Sequence, residues 1–176
     1  NLLTDETSNL LLGVLDEGEV RVERESISLR APAHFSLIGS YDPAEGMPRT
    51  HLLDRVGLLV GLLGATAAEQ RTSVVRNNLL TSLETWQEEL HLLHGLVLAA
   101  REQLPKIAVQ PEQVRQLSRL GLLYGVRGHR VDLFAVLAAR AAAAVALHDE
   151  IEDEDMEVAM RLVILPRATQ IPTPPE

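Results

Sequence analysis

The sequence predicts an α/β segment over roughly residues 1–66, followed by an all-helical domain over roughly 67–167. Three observations carry this. Glu19–Arg30 alternates polar and apolar residues at period two, as strands with two unlike faces do. Phe35–Tyr41 is an apolar run of strand length without helical period, and Val56–Leu63 is a second apolar run. After Leu63-Gly64 the apolar residues recur at helical spacing, punctuated by Pro105, Pro111 and Pro166.

Thr4 suits an N-cap, with Asp5 and Glu6 in the first turn, where the helix dipole favours carboxylates. Leu11, Leu12, Val14 and Leu15 share one face, and Gly18 stands where a C-terminal glycine ends a helix. Asp5 and Glu6 read as first-turn charges rather than metal ligands.

Val20 and Val22 alternate with Arg21 and Glu23, and Ile27 and Leu29 with Ser28 and Arg30. Centred on Glu25-Ser26, this reads as a β-hairpin with one wet face. Its charges, Arg21, Glu23, Arg24 and Glu25, suit a solvated tip; a contact with another subunit or a substrate is the alternative.

Phe35–Tyr41 reads as a buried strand stopped by Asp42-Pro43, because proline lacks an N–H and pushes its predecessor to extended geometry. A turn through Glu45-Gly46, a short helical piece Thr50–Arg55 and the second apolar run follow. A polar residue at the carboxyl end of a central strand, here Asp42, lies where open α/β sheets bind ligands.

In the helical part, Val74, Val75, Leu79 and Leu80 are the apolar positions of a segment ending near Ser82. Thr85–Leu104 is a longer helix that Pro105 stops. Pro111 opens the next, with Val114, Leu117, Leu120 and Leu123 on one stripe. Val131–His148, alanine-rich and apolar almost all round, reads as a helix buried in a bundle. Asp153 to about Leu165 forms the last helix, and the acidic run Asp149–Glu157 reads as first-turn charge and solvated surface. Trp86 and Tyr124 read as core anchors. Residues 168–176, with three prolines, read as the start of a linker.

Composition narrows the function. With 46% apolar and 23% charged residues the chain resembles an ordinary globular protein, and 3% aromatics leave Leu, Val, Ala and Ile to build the core. A net charge of −9 argues against a generic nucleic-acid binder. No apolar run approaches the roughly 20 residues of a membrane span. Cysteine is absent, which removes disulfides and thiolate metal sites and fits a cytoplasmic location. Lys106 is the sole lysine, so there is no Gly-x-x-x-x-Gly-Lys-[Ser/Thr] phosphate loop. The expectation is that a nucleotide-cradling half lies upstream of Asn1. Nucleophile-elbow and dinucleotide fingerprints are also missing, and His91 and His94 lack the further ligands a zinc site needs.

Asn1-Leu-Leu, Val22-Glu-Arg-Glu-Ser-Ile-Ser28, Tyr41-Asp-Pro-Ala-Glu-Gly46 and His51-Leu-Leu-Asp-Arg55 together resemble the AAA+ module of magnesium chelatase. That module carries NLL, VEREGIS, NPEEG and LLDR in this order. Gly128-His-Arg130, and Leu162-Val-Ile-Leu-Pro-Arg167 before Pro-rich sequence, are similar to the D subunit in particular. The resemblance implies the C-terminal part of an AAA+ nucleotide-binding core with a β-hairpin insertion, then a helical lid. Asn1 would follow the Walker B strand, and an acidic Pro-rich linker and an integrin-like domain would continue the chain.

It also implies roles. Arg55 matches the arginine finger offered in trans to a neighbour's nucleotide, with Asp54 orienting it; without that context the dipeptide is an ordinary surface ion pair. Arg49 is the alternative finger. Arg130 matches the lid's sensor 2 arginine; from the residues alone it could instead pair with Asp132 or Asp16. Asp42 occupies the sensor 1 position, where the family usually has asparagine. An ionised aspartate offers no donor to a phosphate, which puts hydrolysis at this subunit's own site in doubt and points to a platform subunit. Ser26 likewise replaces a usual glycine.

The implied function is ATP-dependent insertion of Mg²⁺ into protoporphyrin IX, a ligase-class step of chlorophyll or bacteriochlorophyll biosynthesis. ATP and Mg²⁺ would act in the complex, with none bound by this fragment alone. The implied partners are an AAA+ motor subunit in a hetero-oligomeric ring and a large porphyrin-binding subunit, with no nucleic acid and no membrane span. Two rivals stand beside this reading. One is a hydrolytically active motor subunit, chelatase I-type or MoxR-like. The other is a helical adaptor without a nucleotide role, which expects Arg55 and Arg130 to be tied up in intramolecular ion pairs.

Overall fold

The computed structural model describes residues 2–24, 27–62, 67–80 and 83–172. The chain divides into two units, Asn1–Val56 and Gly57–Glu176.

The first unit opens with α1 (Asp5–Glu17). The Thr4 hydroxyl accepts from the Thr7 N–H at 3.3 Å, which satisfies one of the donors a helix start leaves free. At the other end Gly18 adopts φ +68 and returns its N–H to Val14 at 2.8 Å. Ser8, Leu12 and Val14 form the buried stripe.

The hairpin follows as β1 (Glu19–Arg24) and β2 (Ile27–Pro32), antiparallel, with Val20 opposite Ala31, Val22 opposite Leu29 and Arg24 opposite Ile27. Directly paired residues share a face, so one side collects Val20, Val22, Ile27, Leu29 and Ala31. The other holds Glu19, Arg21, Glu23 and Arg30, with Arg30 donating to Glu19 at 3.3 Å and Arg21 paired with Glu23. The alternation is as predicted, but Val22, Ile27 and Leu29 are exposed, so both faces are wet. The expected turn at Glu25-Ser26 lies outside the described residues.

Phe35–Tyr41 departs from expectation. It forms no strand, and it is exposed: Ile38 is 94% accessible. A central strand needs hydrogen-bonding neighbours on both sides, and among the described residues the sheet has only β1 and β2. The apolar run is there, but no ladder holds it. Beyond it a 3-10 turn (Pro43–Glu45) and the short α2 (Thr50–Leu53) complete the unit.

The second unit is helical. Its elements are α3 (Ala68–Leu80), α4 (Leu83–Gln103), α5 (Pro111–Leu123), α6 (His129–Ala146) and α7 (Asp153–Ala159), which continues as a π turn (Met160–Ile164) and a 3-10 turn (Leu165–Arg167). The second apolar run, Val56–Leu63, carries no strand over its described residues, and Leu63 itself lies outside them. The helix ends sit close to the predicted prolines. Pro166 has a structural consequence. It has no N–H to give the Leu162 carbonyl four residues back, and the Leu59 N–H takes that carbonyl at 2.9 Å.

The core gathers Ile107, Leu117, Val131, Ile151, Val163 and Ile164 around Ala135, Ala139, Ala143 and Ala144 of α6. Those alanines let α5 and α7 approach α6 closely. Only one side of α6 is buried, however; Leu133, Leu137 and Val145 face outward, against the expectation of burial all round. Trp86 is 48% accessible and so anchors no core, whereas Tyr124 packs against it. Val74, Val75 and Leu79 of α3 are also exposed. No helix among the described residues is long and apolar enough to cross a membrane.

Candidate functional site

In the first unit, α1 carries a carboxylate near each end, and each holds one of the two candidate arginines. Asp5 pairs with Arg49, which precedes α2. Asp16 pairs with Arg55, which follows it: Arg55 Nε and Nη2 donate to the same oxygen, Oδ2, at 2.8 and 2.7 Å. The segment Arg49–Arg55 is thereby held alongside α1 in the same direction. Arg55 Nη1 also donates to the His51 carbonyl at 3.2 Å.

A guanidinium has five N–H donors. Three are engaged among the described residues, which leaves one on each terminal nitrogen. That residual pair is the geometry that grips a phosphate or carboxylate with two parallel bonds. The Asp16 hydrogen bonds, and then the charges of Asp16 and Asp54, hold the Arg55 pKa above its ordinary value against the opposing effect of desolvation. Arg55 is therefore a permanent cation.

Asp54 does less than expected. Its backbone N–H closes α2 onto Thr50, and its carboxylate acts on Arg55 through charge alone; Asp16 supplies the hydrogen bonds. Sequence reasoning had no means of finding Asp16 as the orienting group, since 39 residues separate the partners.

Asp42 accepts the Ala44 N–H on Oδ1 at 2.9 Å and so caps the turn Pro43–Glu45. A carboxylate does this as well as an amide would. Local structure thus accounts for an aspartate here.

In the second unit, Arg130 is the second residue of α6, preceded by Gly128 at φ +97. It is exposed and makes no hydrogen bond or ion pair among the described residues. Asp132 does not take it, and Asp16 is committed to Arg55. Arg127 and His129 are exposed beside it, giving this turn a cluster of basic side chains.

Elsewhere the acidic run is not wholly solvated surface. Asp155 is 3% accessible; its Oδ2 accepts the Glu152 N–H at 2.9 Å and lies 3.0 Å from His148 Nδ1. No cluster of three or more metal-ligating side chains is found among the described residues. His91 and His94 border an open depression with Gln87 and Leu90, and His91 is bonded to its own helix at the Gln87 carbonyl.

Residues 114–176 match the AAA lid domain family, a span that takes in most of α5, all of α6 and α7, and the turn carrying Arg130. Residues 114–176 are therefore an AAA lid, and the fold is that of the C-terminal part of an AAA+ core followed by a helical lid. The chain is homologous to magnesium-chelatase subunits. It is 40% identical over 173 residues to the magnesium-chelatase 67 kDa subunit of Chlorobaculum tepidum, an alignment covering 98% of this chain and 28% of that subunit. With the 38 kDa subunit of Rhodobacter capsulatus it shares 38% identity over 151 residues, 82% of this chain and 43% of that subunit. A magnesium-chelatase subunit ChlI homolog of Methanocaldococcus jannaschii is 29% identical over 181 residues, 99% of this chain and 50% of that protein. The chain thus spans half or less of these relatives.

Proposed function

We propose that this chain is the AAA+ lid and adjoining core of a D-type magnesium-chelatase subunit, a platform that presents Arg55 to the nucleotide of a neighbouring motor subunit. The observation that carries the reading is the Arg55 guanidinium, oriented by Asp16 with one donor left on each terminal nitrogen. Phosphoryl transfer needs positive charge fixed where negative charge develops, and an arginine reaching across an interface supplies it without rearrangement of its own side chain. In the complex the ring would use ATP to drive insertion of Mg²⁺ into protoporphyrin IX, held by the large subunit. The ring itself would be hetero-oligomeric, and the work of a ligase would belong to the whole complex rather than to this fragment.

Coverage supports the D-type assignment. The 67 kDa relative matches 98% of the chain and the 38 kDa relative 82%, at nearly equal identity. The motor-subunit reading draws on the second similarity. It would require the chain's own site to hydrolyse ATP, with Asp42 where an amide donor is usual. The adaptor reading expects both arginines to be neutralised within the chain. Arg55 does have an intramolecular partner, but Arg130 has none among the described residues.

The test is the steady-state ATPase of the motor partner, titrated with the full-length subunit and its variants. Arg55→Ala is expected to leave assembly intact by size-exclusion chromatography and to depress turnover by a factor on the order of 10²–10³. Arg55→Lys is expected to rescue poorly, because an ammonium cannot form the planar fork. Arg130→Ala is expected to affect the partner far less. Unchanged turnover with Arg55→Ala would remove the finger assignment and move attention to Arg49.

A further inference from the structure

The turn that carries Arg130 is held from an unexpected quarter. α5 closes on Gly125 at φ +68, with the Gly125 N–H bonded to Leu122 at 3.0 Å and the Val126 N–H to Gly121 at 2.9 Å. The carbonyls of Leu123, Tyr124 and Gly125 are then left without helical donors. Thr169 and Gln170 satisfy all three. The Gln170 amide donates to Leu123 at 2.9 Å, the backbone N–H groups of Thr169 and Gln170 converge on Tyr124 at 3.0 and 3.3 Å, and the Thr169 hydroxyl donates to Gly125 at 2.8 Å.

The packing is equally close. A Cβ on Gly125 would stand 2.5 Å from Thr169 Oγ1 and 3.0 Å from two carbons of Gln170. So the segment lies on bare backbone, and glycine is required both for its φ and for the room it leaves. Four residues after Gly125 α6 begins, with Arg130 in its first turn. Among the described residues the hydrogen bonds that hold this turn come from α5 itself and from residues 169–170.

We propose that Thr169 and Gln170 are positioning residues for Arg130: a strap that fixes the α5–α6 turn and so sets where this arginine meets the nucleotide's phosphates. The proposal deepens the assignment of Arg130 as a nucleotide-sensing lid residue and depends on it. It also gives the stretch leading into the Pro-rich tail a mechanical role. Whatever pulls on that tail acts on the turn through these four hydrogen bonds, two from side chains and two from backbone.

The experiment measures equilibrium binding of a fluorescent ATP analogue (mant-ATP) by the full-length protein. The variants are Arg130→Ala, the pair Thr169→Val with Gln170→Leu, Gly125→Ala and Thr169→Ser, with helical circular dichroism as the check on folding. The paired variant removes two donors and leaves the backbone bonds possible, so it is expected to fold even where Gly125→Ala does not. It is expected to weaken binding about three- to tenfold, and to add nothing when combined with Arg130→Ala, because both act through one side chain. Thr169→Ser keeps the hydroxyl and is expected to bind like the unaltered protein. Losses that add in full to that of Arg130→Ala overturn the strap, as does unaltered binding in the paired variant while Arg130→Ala is weakened. No effect of Arg130→Ala, or no binding by the unaltered protein, overturns the assignment of Arg130 itself, and the two failures are thereby told apart.

Discussion

Two nitrogens of Arg55 donate to a single carboxylate oxygen of Asp16, across 39 residues of chain. The arrangement makes Asp16 the group that decides which way the guanidinium fork points. If Asp16 positions a finger, Asp16→Ala is expected to lower the partner's ATP turnover about tenfold, less than Arg55→Ala, because the charge remains but its orientation is lost. The double variant is expected to be no worse than Arg55→Ala alone. A rise in turnover on removing Asp16 would instead mean that the carboxylate competes with the nucleotide for the arginine.

Leu117 of α5 is 1% accessible and sits among the alanines of α6 and the branched residues of the π turn. Truncation there leaves a cavity that rigid helices close only in part. Leu117→Ala is expected to cost about 2–5 kcal/mol in denaturant unfolding. A cost below about 1 kcal/mol would show that the small-residue core collapses around the gap.

Leu147 ends α6 at φ +60, a conformation that a side chain with a Cβ adopts at a cost of about 1–2 kcal/mol. Its N–H bonds to Ala144 at 3.2 Å and that of His148 to Ala143 at 2.9 Å, the pairing of a helix end usually built on glycine. The side chain is half exposed, so little burial is at stake. Leu147→Gly is expected to stabilise the lid by about 0.5–1 kcal/mol after the extra freedom glycine gains in the unfolded chain. A lower melting temperature in calorimetry would show that the leucine's packing outweighs the backbone strain.

What the sequence disclosed follows from the range of the forces involved. The Thr4 cap, the Gly18 helix end and the stops at Pro105 and Pro166 are settled within a turn of chain, and each is where its residue type puts it. The hairpin was legible because alternation at Val20, Val22, Ile27 and Leu29 is a local signal. Phe35–Tyr41 misled for the complementary reason. Its composition suits a strand, but a strand exists only where another backbone meets its N–H and carbonyl groups, and periodicity contains no information about that. The candidate site divides in the same way: Arg55, Arg49 and Arg130 could be picked out as residues, whereas Asp16, and the reach of Thr169 and Gln170 back to the end of α5, are long-range partnerships. Even the acidic run held a clue that went unused, a histidine seven residues ahead of the one aspartate that is buried.

That histidine gives the lid a pH dependence. The hydrogen bond that His148 donates to Asp155 is the largest of the effects that raise the His148 pKa above its ordinary value; desolvation opposes it, and the charges of Asp155, Glu152 and Glu154 reinforce it. Around the pair, Gln103 donates to the His148 carbonyl at 3.1 Å and to Asp149 at 3.0 Å, and Gln113 donates to Ile151 at 2.8 Å. Among the described residues no other cation pairs with Asp155. Because the folded protein binds this proton more tightly than the unfolded chain, the pair's contribution to stability is complete below the unfolded value near 6.5 and is lost as pH rises through the higher folded value. The measurement is the melting temperature of the protein and of His148→Gln between about pH 6 and pH 9, on either side of the ordinary histidine range. The gap between them is expected to be wide at the acid end and to close toward the alkaline end. A gap independent of pH would mean that neutral His148 serves Asp155 equally well as a donor, leaving the charge on the imidazole without a role in holding α7 to the end of α6.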